Sequence, residues 1–365
     1  STFPCPDCCA DGAKAYDTQE EVWRHLDFFQ YATYLHARVP RVDCPKGCGI
    51  KKITVPWARP GASFTLLFEA LIMALVREMP VAAVAELIGE HDTRLWRIVH
   101  HYVDEARSNL DFSQVSRIGV DETSSRKGHN YISLFFDMDQ KRLLFGTEGK
   151  DQETVKAFSE DLIAHRGDPK SITQVCCDMS PAFIAGVEEH LLEASITFDR
   201  FHIMKLMGDA VDQVRRWESR STDLLKKTRY LWLKNPCNMT IRQSQMMEAL
   251  SHHNLKTAKA YQIRLTLQEL FTQPTRQAGE AFLKRWYFWA THCRLQPVIE
   301  AAKAIKRHWQ GILNWFDSQL TIGFLEGINS LIQAAKARAR GYRTNRNIIT
   351  MAYLIAGKLD FGLPT

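Results

Sequence analysis

Apolar positions in the N-terminal half of the chain change period twice. Residues 1–60 show no helical period, and Phe28 to Val42 is rich in β-formers, which predicts a small β-rich element. From Ser63 the spacing becomes helical, with Phe64, Leu67, Phe68, Leu71 and Leu75 at three- and four-residue steps, and Pro80 closes or opens a helix. Val81–Ile88, then Gly89, then a longer helix from about Asp92 to Ala106 carrying Leu95, Trp96, Val99 and Val103 inward is the layout of a helix-turn-helix. A unit of this kind binds DNA, and Arg94 and Arg97 are its candidate contacts.

Beyond Val115 the texture turns to strands. Val115–Val120, Tyr131–Asp137 and Arg142–Gly146 read as three strands, with turns at Lys127–Gly128 and Asp139–Gln140. A helix over Gln152–His165, an apolar run Ile172–Cys177, a helix from Pro181 and a last strand Ile196–Phe198 follow. Three strands, helix, strand, helix, strand is the order of a ribonuclease H-like mixed sheet. Residues 205–321 show only helical patterns, studded with Trp217, Trp232, Trp286, Trp289, Trp309 and Trp315, which are expected mostly in the core. A final helix, Phe324–Arg340, is expected to stop at Gly341.

The expected fold class is therefore multidomain α+β. Residues 1–60 are expected to form a β-rich element, 61–112 a helix-turn-helix, 113–204 the first part of a mixed-sheet core, 205–321 an all-helical insertion, and 322–365 the last part of that core with a basic tail. The length of 365 residues agrees, since single cores stop growing at roughly 250–300 residues.

Composition narrows the class. With 45% hydrophobic and 24% charged residues the chain is an ordinary globular protein. Its longest apolar stretch, Phe64 to Val76, contains Glu69 and is far short of the roughly 20 residues of a membrane span. The start lacks the pattern of a signal peptide and is Ser1 rather than Met, so an intracellular, cytoplasmic protein with some residues missing from its start is expected. The net charge of +6 is modest, but Lys336, Arg338, Arg340, Arg343 and Arg346 run without an acidic residue among them, as phosphate contacts do.

Two apolar runs deliver a carboxylate in the same way, Ile118-Gly119-Val120-Asp121 and Val175-Cys176-Cys177-Asp178. If the strands are neighbours, both charges enter one cleft, and like charges so placed call for a divalent cation, Mg²⁺ or Mn²⁺, between them. On a helix, Glu326, Asn329, Gln333, Lys336 and Arg340 fall within an arc of about 80°. Glu326 becomes the third ligand, and Asn329 with the basic groups becomes a grip on DNA. Two metal ions held this way would serve phosphodiester cleavage. Cys5-Pro-Asp-Cys8 and Cys44-Pro-Lys-Gly-Cys48 suit one structural Zn²⁺, with Cys9 an alternative to Cys8. His202, three residues after Asp199, is a secondary candidate near the metals, whereas Cys176, Cys177, Cys237 and Cys293 read as buried packing residues.

With these residues assembled, the chain resembles the ISL-three (ISL3) family of insertion-sequence transposases over nearly its whole length. The stretches that carry the resemblance are the paired cysteines, GVDETSSRKGHNY, CCDMSPAF, FDRFH and GFLEGINSLIQAAKARARGYRTN. The resemblance implies a DDE catalytic domain with the triad on Asp121, Asp178 and Glu326. It also implies recognition of terminal inverted repeats in double-stranded DNA by the zinc and helix-turn-helix units, and strand transfer into target DNA. Asp199-x-x-His202 resembles a motif of related transposases. Pairing two element ends makes a homodimer or a higher assembly the expected working state. The alternatives are a domesticated relative that regulates by binding without cutting, and a nuclease or resolvase of the same fold.

Overall fold

The computed structural model describes residues 2–126, 128 and 130–364; Lys127, in the turn expected at Lys127–Gly128, lies outside them. The chain divides into two compact units, residues 1–110 with 334–365, and residues 111–333.

The first unit opens with a four-stranded antiparallel sheet in the order β1 (Thr2–Phe3), β2 (Ala13–Phe28), β3 (Tyr31–Asp43) and β4 (Ile50–Lys52). Most of it is one long hairpin, β2 against β3. Three helices follow, α1 (Leu66–Glu78), α2 (Val81–Ile88) and α3 (Asp92–Ser108). Gly89, at φ 69°, takes the left-handed turn between α2 and α3 that a side chain would resist. Leu95, Val99 and Val103 are buried as expected, but Trp96 is only half-buried, stacked on His100 and edge-on to Tyr342.

In α1 the expected face is rotated. Phe68, Ile72, Met73 and Val76 are buried, while Leu67 and Leu71 are exposed. The cause is Glu69, which is fully buried: Arg59 grips it through two hydrogen bonds of 2.6 and 2.7 Å, and the Tyr102 hydroxyl donates a third of 2.8 Å. A carboxylate so satisfied occupies a core position that a hydropathy pattern assigns to solvent.

The second unit is built on a five-stranded sheet, ordered β7 (Arg142–Glu148), β6 (Asn130–Asp137), β5 (Arg117–Arg126), β8 (Gln174–Cys177) and β9 (Ser195–Phe198). The first three strands are antiparallel; β8 and β9 join parallel to β5. Helices α4 (Gln152–Ala164) and α5 (Pro181–His190) make the crossovers. In β6 Ile132 through Asp137 are all buried, a continuous run that marks a strand covered on both faces. On one face Phe135 stacks on Phe158 of α4 with centroids 4.5 Å apart.

After β9 the chain is helical: α6 (Arg200–Glu218), α7 (Arg229–Leu233), α8 (Ile241–Ser251), α9 (Lys256–Gln268), α10 (Arg276–Thr291), α11 (Gln296–Arg307), and the short α12 (Trp309–Leu313) and α13 (Trp315–Ser318). This segment packs back on β9, where a Cβ at Gly311 would sit 2.4 Å from the Phe198 ring and Asn314 Nδ2 donates to the Ile196 carbonyl at 2.8 Å. Trp232 and Trp286 are core residues; Trp217 is exposed. Cys176, Cys177 and Cys293 are buried, but Cys237, expected inside, is exposed within a short 3-10 turn, Pro236–Asn238, that buries none of its residues.

The last helices are α14 (Gly323–Arg338) and α15 (Asn345–Ala356). α14 ends two residues before the expected position: Arg340 is already left-handed at φ 55°, Gly341 follows at 98°, and the Gly341 amide closes the turn onto the Lys336 carbonyl. α15 packs on α3 within the first unit, through His100, whose Nδ1 lies 2.9 Å from Thr350 Oγ1 and Nε2 3.1 Å from Asn347 Oδ1. Among the described residues no helix is long and apolar enough to cross a membrane.

Candidate functional site

Asp121 is not at the end of its strand. β5 runs five residues further, to Arg126, because its antiparallel partner β6 continues, while the parallel ladder to β8 gives out after Gly119↔Cys176. Asp121 and Asp178 each lie two positions past the last paired residues of that ladder, and the charge of Asp178 reaches the Asp121 carboxyl. The Glu122 amide donates to Asp121 Oδ1 at 2.8 Å, and the Ser180 amide to Asp178 Oδ1 at 2.9 Å.

α14 lies along β5. Asn329 Nδ2 donates to Asp121 Oδ2 at 2.6 Å, and one turn on Gln333 Nε2 donates to Thr123 Oγ1 at 2.7 Å and to the Ser124 carbonyl at 2.9 Å. The helix comes this near because residue 119 is glycine: a Cβ there would lie 3.1 Å from Leu325 Cδ2 and 2.5 Å from Met138 Sδ. Glu326, one turn before Asn329, thus shares a face with residues bonded to β5. Its Oε1 is buried without a hydrogen-bond partner.

Burial raises the Asp121 carboxyl to about 6, with the negative charge of Asp178 adding to the effect and His202 and Asn329 opposing it. Burial also raises Glu326, with Asp199 adding and His202 opposing. His202 is therefore within electrostatic reach of both carboxylates, and its Nδ1 lies 3.8 Å from Asp199 Oδ2. Asp199 caps α6 by accepting the Phe201 amide at 2.8 Å and also accepts the Ile322 amide at 3.2 Å. Two clefts open here. One of about 380 Å³ is lined by Asp178, Ser180, His202, Glu122, Lys150 and Lys205; another of about 750 Å³ includes Glu326 and Asp199. Asp121 is in neither lining. Glu122, whose carboxyl burial also raises, was not singled out by sequence reasoning; its place directly after Asp121 was the one available signal.

Among the described residues, the only set of three or more side chains whose metal-ligating atoms lie within 4.8 Å of one another is Cys5, Cys8, Cys44 and Cys48. Asp121, Asp178 and Glu326 are not so tightly gathered. The thiols suit zinc: a Zn–S bond of about 2.3 Å puts tetrahedral sulfurs roughly 3.8 Å apart, and Cys8 and Cys44 Sγ are separated by 3.5 Å. Backbone amides of Cys48 and Lys46 aimed at Cys44 lower its thiol to about 6, favouring the thiolate. Cys9 points away, exposed and left-handed at φ 55°, so Cys8 completes the cluster.

The expected DNA contacts differ in their surroundings. Arg97 and Arg340 are exposed, and so is Arg343. Arg94 pairs with Glu90, donates to Ser63 at 2.7 Å and covers the Phe64 ring. Arg338 donates to the Glu78 carbonyl, Arg346 pairs with Asp104, and Lys336 is half-buried. Arg97, Arg343 and Trp96 line a cleft of about 420 Å³ in the first unit.

A four-thiolate ribbon, a helix-turn-helix and a mixed sheet with its carboxylates form, in that order, the make-up of a transposase. Residues 1–48 match the zinc finger of the IS204/IS1001/IS1096/IS1165 transposases, 53–103 the ISL3 helix-turn-helix, and 118–352 the ISL3 transposase domain. The chain belongs to the ISL3 transposase family. It is 29% identical over 383 residues to the transposase of insertion sequence IS1557 of Mycobacterium tuberculosis, covering 95% of this chain and 84% of that one. It is 27% identical over 355 residues to the transposase of IS1001 of Bordetella parapertussis, covering 93% and 85%.

Proposed function

We propose that this protein is a DDE transposase that cleaves DNA at the terminal inverted repeats of an insertion sequence and transfers the strands to target DNA, with Asp121, Asp178 and Glu326 as its carboxylate triad. The observation that carries this reading is the 2.6 Å hydrogen bond from Asn329 to Asp121, which ties the helix of Glu326 to the strand of Asp121 across 208 residues of sequence. The mixed sheet is taken as a ribonuclease H-like core, and α6–α13 as an insertion in it.

The donor set fits magnesium or manganese: three carboxylates, hard oxygens all, one of them with a buried oxygen that nothing donates to. Asp121, Asp178 and Glu326 would hold the divalent ions, whose chemistry there would be to activate a water or 3′-hydroxyl and to stabilise the leaving oxygen. The protein's own groups do the rest. Asn329 and the Glu122 amide fix both oxygens of Asp121, the Ser180 amide fixes Asp178, and His202 offsets negative charge beside Asp121 and Glu326. The zinc ribbon and helix-turn-helix hold the element ends, and exposed Arg97, Arg340 and Arg343 meet phosphates. Two or more copies pair the two ends, in the bacterial cytoplasm.

The test is strand cleavage and joining with Mg²⁺ or Mn²⁺ on DNA carrying the sequences that flank the gene, for the wild type and Asp178→Asn. Metal-dependent cutting at the ends that the variant lacks is expected. Tight end binding without cutting under either metal would replace the enzyme by a regulator.

A further inference from the structure

The larger of the two clefts described at this site is more than an approach to Glu326. It runs from Glu326 and Asp199 into the helical segment, where α6, α7 and α9 supply its walls, and its volume of about 750 Å³ is that of a site for a compact ligand. Deep in it is Arg264 of α9, 8% exposed. Both terminal nitrogens of Arg264 reach the same atom, Asn235 Oδ1, at 3.3 Å, and its Nε has no partner. A buried guanidinium satisfied only by one neutral amide oxygen is costly unless an anion arrives. The wall beside it includes Gly208 of α6, where a Cβ would make ordinary contacts, 3.6 Å from Leu233 Cδ2 and 3.9 Å from Arg264 Nε.

The other walls are not those of a simple anion site. Phe201, 51% exposed, and Phe271 bring aromatic side chains to the lining, and Asn238 and Gln268 bring amides of the kind that read base edges. Four cations, Arg200, Lys205, Lys234 and Arg264, stand against the carboxylates of Asp199, Asp209 and Glu326. A near-balanced wall suits one nucleotide better than a run of phosphates. Lys205 and Asp209 also line the cleft of Asp178, so the two openings adjoin.

We infer that this cleft receives a single unstacked nucleotide of the DNA strand next to the cleavage site, its phosphate at Arg264 and its base against Phe201 or Phe271. The inference rests on the transposase reading, because it takes DNA to lie at Glu326. Extruding a base costs stacking energy, which a preformed cleft of this kind returns.

The experiment uses the full chain carrying Asp121→Asn, so that no cutting intervenes, and end-sequence duplexes with 2-aminopurine or 5-iodouracil at successive positions around the junction. One position is expected to brighten on binding, and iodouracil there to crosslink to Phe201 or Phe271. Phe201→Ala is expected to weaken binding of a duplex already unpaired at that position by about 5- to 100-fold, the loss of one base stack, and Arg264→Gln to abolish the brightening. Phe201 is on the surface, so its variant keeps the test valid if Arg264→Gln does not fold. If the wild type cuts with metal but no position brightens or crosslinks in the cleft, the nucleotide site is overturned while the transposase reading stands. If a nucleotide enters the cleft but the wild type cuts under no metal, the reverse holds.

Discussion

Asn329 and Asp121, 208 positions apart, are joined by a hydrogen bond in which the side-chain amide donates to Oδ2 at 2.6 Å. The bond leaves Asn329 Oδ1 buried and unpartnered, so the amide's one strong tie in the site is to that carboxylate. Asn329→Ala is expected to let Asp121 turn and to raise the metal concentration needed for half-maximal cleavage, with end binding kept. Asn329→Asp, which adds a like charge, should cost more. Metal titrations unchanged in both variants would show that Asn329 does not position Asp121.

Gly119 tests the contact of α14 with β5. Overpacking of this kind costs about 1–3 kcal/mol, and a Cβ 2.5 Å from Met138 Sδ must displace that side chain while pressing on Leu325 at 3.1 Å. Gly119→Ala should lower the melting temperature and the cleavage rate together, with Leu325→Val restoring part of both. A melting temperature equal to that of the wild type would mean that the neighbours give way freely.

His100 gives the first unit a sensitivity to acid. Burial first, then the charge of Arg346, lowers its pKa from 6.5, while Asn347 and Asp104 oppose the shift. The native state therefore holds the ring neutral, as bonding to Asn347 Oδ1 and Thr350 Oγ1 requires if Nε2 carries the proton. The stability this contributes is complete above about pH 6.5 and is lost as the pH falls below it, because the unfolded chain then binds the proton more readily. His100→Gln should lose less stability than the wild type between about pH 7.5 and 5.5. Equal losses in thermal unfolding would remove His100 as the cause.

Removal of zinc should act on the first unit alone. Cys44→Ser, or a chelator, is expected to reduce bound zinc from one ion per chain to none and to open residues 1–52 to proteolysis, with residues 111–333 still protected. Full zinc content in Cys44→Ser would exclude a four-thiolate site.

The sequence made much of the second unit's sheet readable because β6, β8 and the first half of β5 are buried in continuous runs and appear as short apolar stretches bounded by turns. β2 was harder to find: Asp17, Glu20, Glu21 and Arg24 interrupt it, and its pairing with β3 becomes evident only in three dimensions. Glu69 concealed the true face of α1, since the partners that satisfy it, Arg59 and Tyr102, stand 10 and 33 residues away. The stripe from Glu326 to Gln333 follows from helical period alone. That Asn329 of this stripe, expected at DNA, bonds a carboxylate on β5 depends on the closeness permitted by Gly119, and no local pattern encodes that.

Asp199 has a topological role as well as an electrostatic one. One of its oxygens caps the start of α6 and the other accepts the Ile322 amide, just before α14 begins, so a single side chain fastens both ends of the helical segment. A loop whose ends are pinned can change length cheaply, at about 0.6 kcal/mol for each doubling. The turns between these helices can therefore gain or lose residues while the spacing of Asp178 to Glu326 in space, though not in sequence, stays the same.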